Sequence, residues 1–166
     1  MMTKAKEHYT MKRILVFSDS HGSIDLCVDA IARIPADIIL HCGDYVRDVD
    51  KLIRKFPDKD IRYVQGNNDL FTKAPKQLII EEDGVRILAV HGHEQHVKYE
   101  MNYTTLAKFA REQGCDMAVF GHTHIAYEGE TDGVKLLNPG STLFGGTYAI
   151  IEIADGNASS CIMQSM

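Results

Sequence analysis

The 166-residue chain has no CxxC pair, no apolar run long enough for a bilayer, no Lys/Arg cluster beyond short runs such as "RKFPDK", and no repeat or low-complexity segment. Its four cysteines, Cys27, Cys42, Cys115 and Cys161, are scattered. That spacing excludes a disulfide framework and makes a reducing cytoplasm the expected compartment. Cys42, at a strand end, reads as a small buried hydrophobe. A membrane-spanning helix needs about 20 consecutive apolar residues, which are missing, so a soluble protein is expected. The opening "MMTKAKEHYTMKR" is basic, but the "ILVFS" that follows breaks at once into "DSHG", too short for a secretory signal. A net charge of −5 without a basic patch argues against a surface that tracks nucleic-acid phosphates. An anionic substrate would then need positive charge from elsewhere, such as bound metal.

What is present is globular: 45% of residues are hydrophobic and 25% charged. The length fits one domain, expected over 11–166, with Met11 opening the ordered fold and a short flexible tail over 1–10. Five short β-type runs each end in small and polar residues. "RILVFS" leads to Asp19-Ser20-His21, "ADIILHC" to Gly43-Asp44, and "IRYVQ" to Gly66-Asn67-Asn68-Asp69. "VRILAV" leads to His91-Gly92-His93, and "DMAVF" to Gly121-His122-Thr123-His124.

Helical patterns lie between the runs. "SIDLCVDAIARI" offers Ser23 as an N-cap and puts Ile24, Cys27, Val28, Ile31 and Ile34 on one face. "DVDKLIRKF" reads as a second helix and "NYTTLAKFAREQG" as a third, closing on Gly114. Strands separated by helices imply β-α-β units with parallel strands, whose ligands bind outside the carboxyl ends. The five endings should therefore converge. Asp-Gly at 83–84, 132–133 and 155–156 between strand-like segments signals hairpins. The expected fold is α/β, two facing mixed sheets flanked by helices.

Singly, each ending is an ordinary loop or cap. Together, two Asp, one Asn and four His at predicted strand ends point to a metal site. Imidazole, carboxylate and amide oxygen without thiolate suit Mn²⁺, Fe²⁺, Zn²⁺, Co²⁺ or Ni²⁺. Seven ligands exceed one ion's needs and suit two ions sharing a carboxylate bridge.

In order, "DSH" at 19–21, "GD" at 43–44, "GNND" at 66–69, "HGH" at 91–93 and "GHTH" at 121–124 resemble the five-part pattern of the calcineurin-like metallophosphoesterases. With "LLNPGS" at 136–141, the compact chain looks most like the small bacterial and archaeal phosphodiesterase subfamily. The resemblance implies a four-layer α-β-β-α fold. It implies that Asp19, His21 and His124 hold one ion, that Asn67, His91 and His122 hold the other, and that Asp44 bridges them. Asp44, Asn67 and His91 are the residues it marks as catalytic. The expected cofactor is a pair of Mn²⁺ ions, with Ni²⁺, Zn²⁺, Fe²⁺ or Co²⁺ as alternatives. The implied reaction is hydrolysis of a small phosphate ester by in-line attack of a metal-bridging hydroxide. A phosphomonoesterase or nucleotide hydrolase uses the same motifs, and the same fold also serves as a protein-binding scaffold in a retromer subunit. A homo-oligomer is allowed for.

One departure matters. Many family members have His after the motif Asn, a candidate proton donor to the leaving group, where this chain has Asn68. An amide is no general acid near neutral pH, so substrates with acidic leaving groups are expected unless His93 or a metal-bound water supplies the proton. Asp69 reads as a supporting turn residue, His41 as packed or hydrogen-bonded, and His8 as part of the tail. His96 and Lys98 read as a solvated loop, and Asn138 to Ser141 as a turn shaping the backbone near the site.

Overall fold

The computed structural model describes residues 10–165, so most of the expected tail, His8 included, lies outside the described residues. The element order is β1 (Lys12–Phe17), α1 (Asp25–Arg33), β2 (Ile38–His41), α2 (Val46–Lys55), β3 (Ile61–Tyr63), β4 (Gln77–Glu82) and β5 (Val85–Val90). Then follow α3 (Thr104–Glu112), β6 (Met117–Val119), β7 (Tyr127–Thr131), β8 (Val134–Asn138), β9 (Thr147–Ala154) and β10 (Asn157–Gln164). Two five-stranded sheets result, ordered β10-β9-β1-β2-β3 and β4-β5-β6-β8-β7. Within them β1-β2-β3 and β5-β6-β8 run parallel, and the remaining pairs are antiparallel.

The central strands carry apolar runs, such as residues 14–17 and 87–90, because both of their faces are buried there. Successive side chains still separate by face. Ile14 and Val16 of β1, Ile38 and Leu40 of β2, Ile87 and Ala89 of β5, and Ala149, Ile151 and Ile153 of β9 form the core between the sheets. Leu15, Phe17 and Ile39 point the other way, onto Cys27, Ala30 and Ile31 of α1 and Leu52 of α2. In the second sheet Leu88, Ala118 and Leu136 take Leu106, Ala107 and Ala110 of α3. The outcome is the expected helix–sheet–sheet–helix layering.

The three hairpins turn at Asp83-Gly84, Asp132-Gly133 and Asp155-Gly156, all with positive φ at both positions, as the tight turn of a right-twisted hairpin demands. The α1 face is as expected, but its cap is not. The helix starts at Asp25 with Ile24 in the cap position and no side-chain cap. The Ser23 N–H instead closes a turn on the Ser20 carbonyl (3.1 Å), leaving Asp25 to favour the helix start by charge. Helix α2 begins two residues before its charged repeat, and α3 spans Thr104–Glu112 with the Gly114 N–H closing on Arg111. Among the described residues no helix is long and apolar enough to cross a membrane.

Candidate metal centre

The loops following β1, β2, β3, β5 and β6 converge where the two sheets face one another. Asp19 follows β1 and is fully buried. Its Oδ2 accepts hydrogen bonds from Ser18 Oγ (2.6 Å) and the His122 backbone N–H (3.0 Å). Its Oδ1, also buried, has no hydrogen-bond partner. That oxygen faces Nε2 of His124 at 3.2 Å, of His21 at 3.6 Å and of His91 at 4.0 Å.

Asp44, equally sequestered, has Oδ2 at 3.4 Å from His91 Nε2 and 3.9 Å from His21 Nε2, between histidines carried by different sheets. Asn68 donates its backbone N–H to Oδ1 (3.0 Å) and its side-chain amide to Oδ2 (2.7 Å). Burial opposes ionisation of Asp44, but the bonds from His91 and Asn68 prevail and hold the carboxyl far below its usual range.

His91 is oriented from behind. Its Nδ1 lies 2.8 Å from the Cys42 carbonyl, which can only accept, so Nδ1 carries the proton. In the neutral ring that leaves a lone pair on Nε2, which lies 3.0 Å from Asn67 Oδ1. Burial lowers the His91 pKa, but Asp44 and Asp19 outweigh it and raise it. His122 packs its ring 5.0 Å from that of His91. Burial, His91, Lys98 and His93 push its pKa down to about 4, so it stays neutral at pH 7.

The tightest donor groups are thus Asp19–His21–His124 and Asp19–Asp44–His91, with Asn67 and His122 drawn in through His91. The backbone is strained to achieve this. Asp19, His21, Asp44, His122 and His124, five of the seven candidate ligands, have positive φ. For non-glycine residues this conformation is uncommon and costs on the order of 1 kcal/mol each. Two motif glycines exist for close approach. A Cβ on Gly66 would stand 2.0 Å from Asp44 Oδ1, and one on Gly121 2.0 Å from Ser18 Oγ.

Asp69 is a support, as expected. Its oxygens accept the N–H groups of Asp44 (3.0 Å), Gly66 (2.8 Å) and Val46 (2.7 Å), fixing two loops and the first turn of α2. The turn at 138–141 also shapes the site: Asn138 donates to the Gly121 carbonyl (3.0 Å), and Ser141 Oγ donates to the Asp19 carbonyl (2.7 Å). Cys42 and His41 are buried, and His96 and Lys98 are exposed. The ring of His93 lies 5.6 Å from that of His91, and burial with the charge of His91 depresses its pKa.

One network had no sequence signal beyond a histidine ending an apolar run. His41 Nδ1 accepts the Gly43 N–H (3.2 Å), so Nε2 holds its proton and donates to Ser20 Oγ (3.0 Å). The Ser20 hydroxyl donates to Asp48 Oδ2 (2.7 Å), which also takes the Gly22 N–H (2.8 Å). The β1 and β2 loops are thereby tied together beneath the cluster. Burial pushes the His41 pKa down to about 4. Two aromatic contacts were likewise unforeseen: Phe144 stacks on His124 at 5.1 Å, and the Tyr45 ring meets the edge of His21 at 5.2 Å.

The donor set fits divalent metal. An unpartnered buried carboxylate oxygen is costly unless something positive takes its lone pairs. Ligand atoms that share one ion at about 2.1 Å lie roughly 3–3.5 Å apart. Between His21 Nε2 and His124 Nε2, and between His124 Nε2 and Asp19 Oδ1, the separation is 3.2 Å.

Comparison with known proteins agrees. Residues 11–156 match the model of the calcineurin-like phosphoesterase superfamily domain. A probable metallophosphoesterase of Mycoplasma pneumoniae is 30% identical over 134 residues, 79% of each chain. A phosphodiesterase of Methanocaldococcus jannaschii is 25% identical over 148 residues, covering 77% of this chain and 82% of its own. The structure of a predicted phosphoesterase of Streptococcus pneumoniae superposes with TM-score 0.78 at 27% identity, over 93% of this chain and 90% of that one. Vacuolar protein sorting 29 of Cryptosporidium parvum shares the fold (TM-score 0.71, 17% identity, 92% of this chain and 97% of that one). With nearly its whole length matched by that model, the chain belongs to the calcineurin-like phosphoesterase superfamily, in the class of metal-dependent phosphoesterases.

Proposed function

We propose that residues 11–166 act as one catalytic domain, a phosphodiesterase that works with two divalent ions, Mn²⁺ being the expected pair. Asp19, His21 and His124 would hold one ion and Asn67, His91 and His122 the other, with Asp44 between them. The observation that carries this reading is Asp19 Oδ1, buried and unpartnered among three imidazole nitrogens. When bound, two such ions lower the pKa of water and neutralise phosphate charge. The protein's own part is positional. Asp44 stays ionised because Asn68 donates to both its oxygens. His91 keeps Nε2 forward because Cys42 holds Nδ1. Protons compete with metal for His91, whose acid neighbours favour protonation, so metal loading should weaken as pH falls.

The phosphodiester preference is supported by the phosphodiesterase relative. The test is hydrolysis of a panel of phosphodiesters and monoesters after chelation and readdition of Mn²⁺, Ni²⁺, Zn²⁺ or Mg²⁺. Metal-restored turnover of diesters, nearly abolished by Asp44→Asn and lowered by His122→Ala, is expected. Turnover unaffected by both substitutions would sink the site assignment. No turnover with any metal would favour a scaffold role.

A further inference from the structure

Beside the cluster lies a recess of about 500 Å³ whose walls include Tyr45, Arg47, Leu70 and Phe71, with the carboxylates of Asp50 and Asp69 also on its lining. It borders the candidate site: Tyr45 follows Asp44 and its ring packs against that of His21, while Asn68 is bonded to Asp44. Its walls are not explained by folding. Leu70 is 74% exposed and Phe71 fully so, and neither belongs to a core cluster. Phe71 also takes a left-handed backbone (φ 60°), a genuine outlier for a bulky residue and a kind of strain that gathers at ligand clamps. Across the recess the Arg47 guanidinium sits 5.8 Å from the centre of the Tyr45 ring, within cation–π range, and makes no salt bridge among the described residues.

We propose that this recess is a subsite for a planar aromatic substituent of the phosphate ester, an inference that rests on the hydrolase reading. Aromatic walls and an unpaired guanidinium favour a flat π-face over an alkyl chain, and the volume lies within the range of small-molecule pockets. A phosphate over Asp44 and His91 would then leave its substituent beside Tyr45 and Phe71. An aryl group and a nucleobase share this chemistry.

Calorimetric titration of the Mn²⁺-loaded protein tests the subsite without turnover. Phenylphosphonate should bind about tenfold tighter than methylphosphonate. Phe71→Ala, at an exposed position that folding does not use, should reduce that ratio to about twofold, and Arg47→Met should reduce it by a smaller factor. Adenosine 5′-monophosphate against ribose 5-phosphate separates the two sources. Preference for the former supports a nucleobase, and equal affinities with the phenyl preference intact support a compact aryl ester. Equal binding of the two phosphonates by the unmodified protein, or a preference that survives both substitutions, overturns the subsite. Binding of neither overturns the subsite and the hydrolase reading together. Absence of turnover with any metal would instead break the hydrolase reading alone, with the binding ratio standing.

Discussion

The two sheets supply unlike halves of the candidate centre. The loops after β1, β2 and β3 bring Asp19, His21, Asp44 and Asn67, every oxygen donor of the set, whereas those after β5 and β6 bring only His91, His122 and His124. The acidic half is held by a dense set of donors: Ser18 and the His122 N–H on Asp19, and Asn68 on Asp44. The imidazole half needs orientation more than charge balance, and a single carbonyl suffices for His91. Neutral ligands can be buried at little cost. Carboxylates cannot, so the acidic half should depend more heavily on its surroundings and on bound cation.

The sharpest way to break this comparison is one substitution in each half. Asp44→Asn removes a charge placed between both groups of histidines and should lower turnover by about a thousandfold, since metal contributes several kcal/mol to such reactions. His124→Ala removes an imidazole donor at the one-third exposed rim and should cost about tenfold to a hundredfold, with partial recovery in excess metal. Steady-state rates against metal concentration report both. Equal losses would mean that the halves are not distinct.

Next in size is the buried His41, which ties the acidic half together while carrying no net charge. Its folded pKa of about 4 lies below the ordinary 6.5, so the unfolded chain binds its proton first as pH falls. Stability from this group is therefore complete above pH 6.5 and lost as pH falls toward 4, by about 3 kcal/mol. Urea unfolding in chelator at pH 7 and pH 4.5 should show that loss in the parent protein and a flatter dependence in His41→Asn. Parallel slopes would remove His41 from the account.

Asp69 sharpens the comparison further, because it organises the acidic half without facing the cluster. Asp69→Ala strands the N–H groups of Asp44, Gly66 and Val46. Metal affinity should fall tenfold to a hundredfold, as when groups behind a ligand are lost. Turnover should return at saturating metal. A loss that saturating metal does not repair would make Asp69 a participant in the chemistry.

Much of this was legible in the chain. The apolar runs gave the strands, and Asp-Gly gave all three hairpins. The polar endings gave the residues that meet, because parallel strands deliver their carboxyl ends to one edge. What periodicity does not carry is the partner. β1 and β5 both carry four-residue apolar runs, residues 14–17 and 87–90, yet they lie in different sheets, since hydrophobicity reports burial and not which neighbour buries it. Nor could positive φ at Asp19 or His122 be read, for no local turn signal such as Asp-Gly marks either position. The Ser23 cap failed because the strained loop at 19–22 claimed that stretch of backbone for a turn on Ser20. Ser20, His41 and Asp48 are distant in sequence and joined only by the fold.

The smallest expected effect concerns a residue of the acidic half that is bonded to Asp44 and lines the neighbouring recess. Asn68 uses its amide to hold Asp44 (2.7 Å) and has no proton to give a departing oxygen near neutral pH. Rates should therefore fall steeply as leaving-group pKa rises from nitrophenols to alkyl alcohols. Asn68→His would place a titratable donor at that position while its backbone N–H still reaches Asp44 (3.0 Å). General acid catalysis is worth about a hundredfold or more when well aligned. Here the imidazole would also lose the amide's bond to Asp44, so a net gain of about tenfold on alkyl esters is expected, with little change on p-nitrophenyl esters. A series of diesters graded by leaving-group pKa, run on both proteins, reads the effect as a shallower slope for the histidine variant. A slope already shallow in the parent would show that another group, such as His93, delivers the proton.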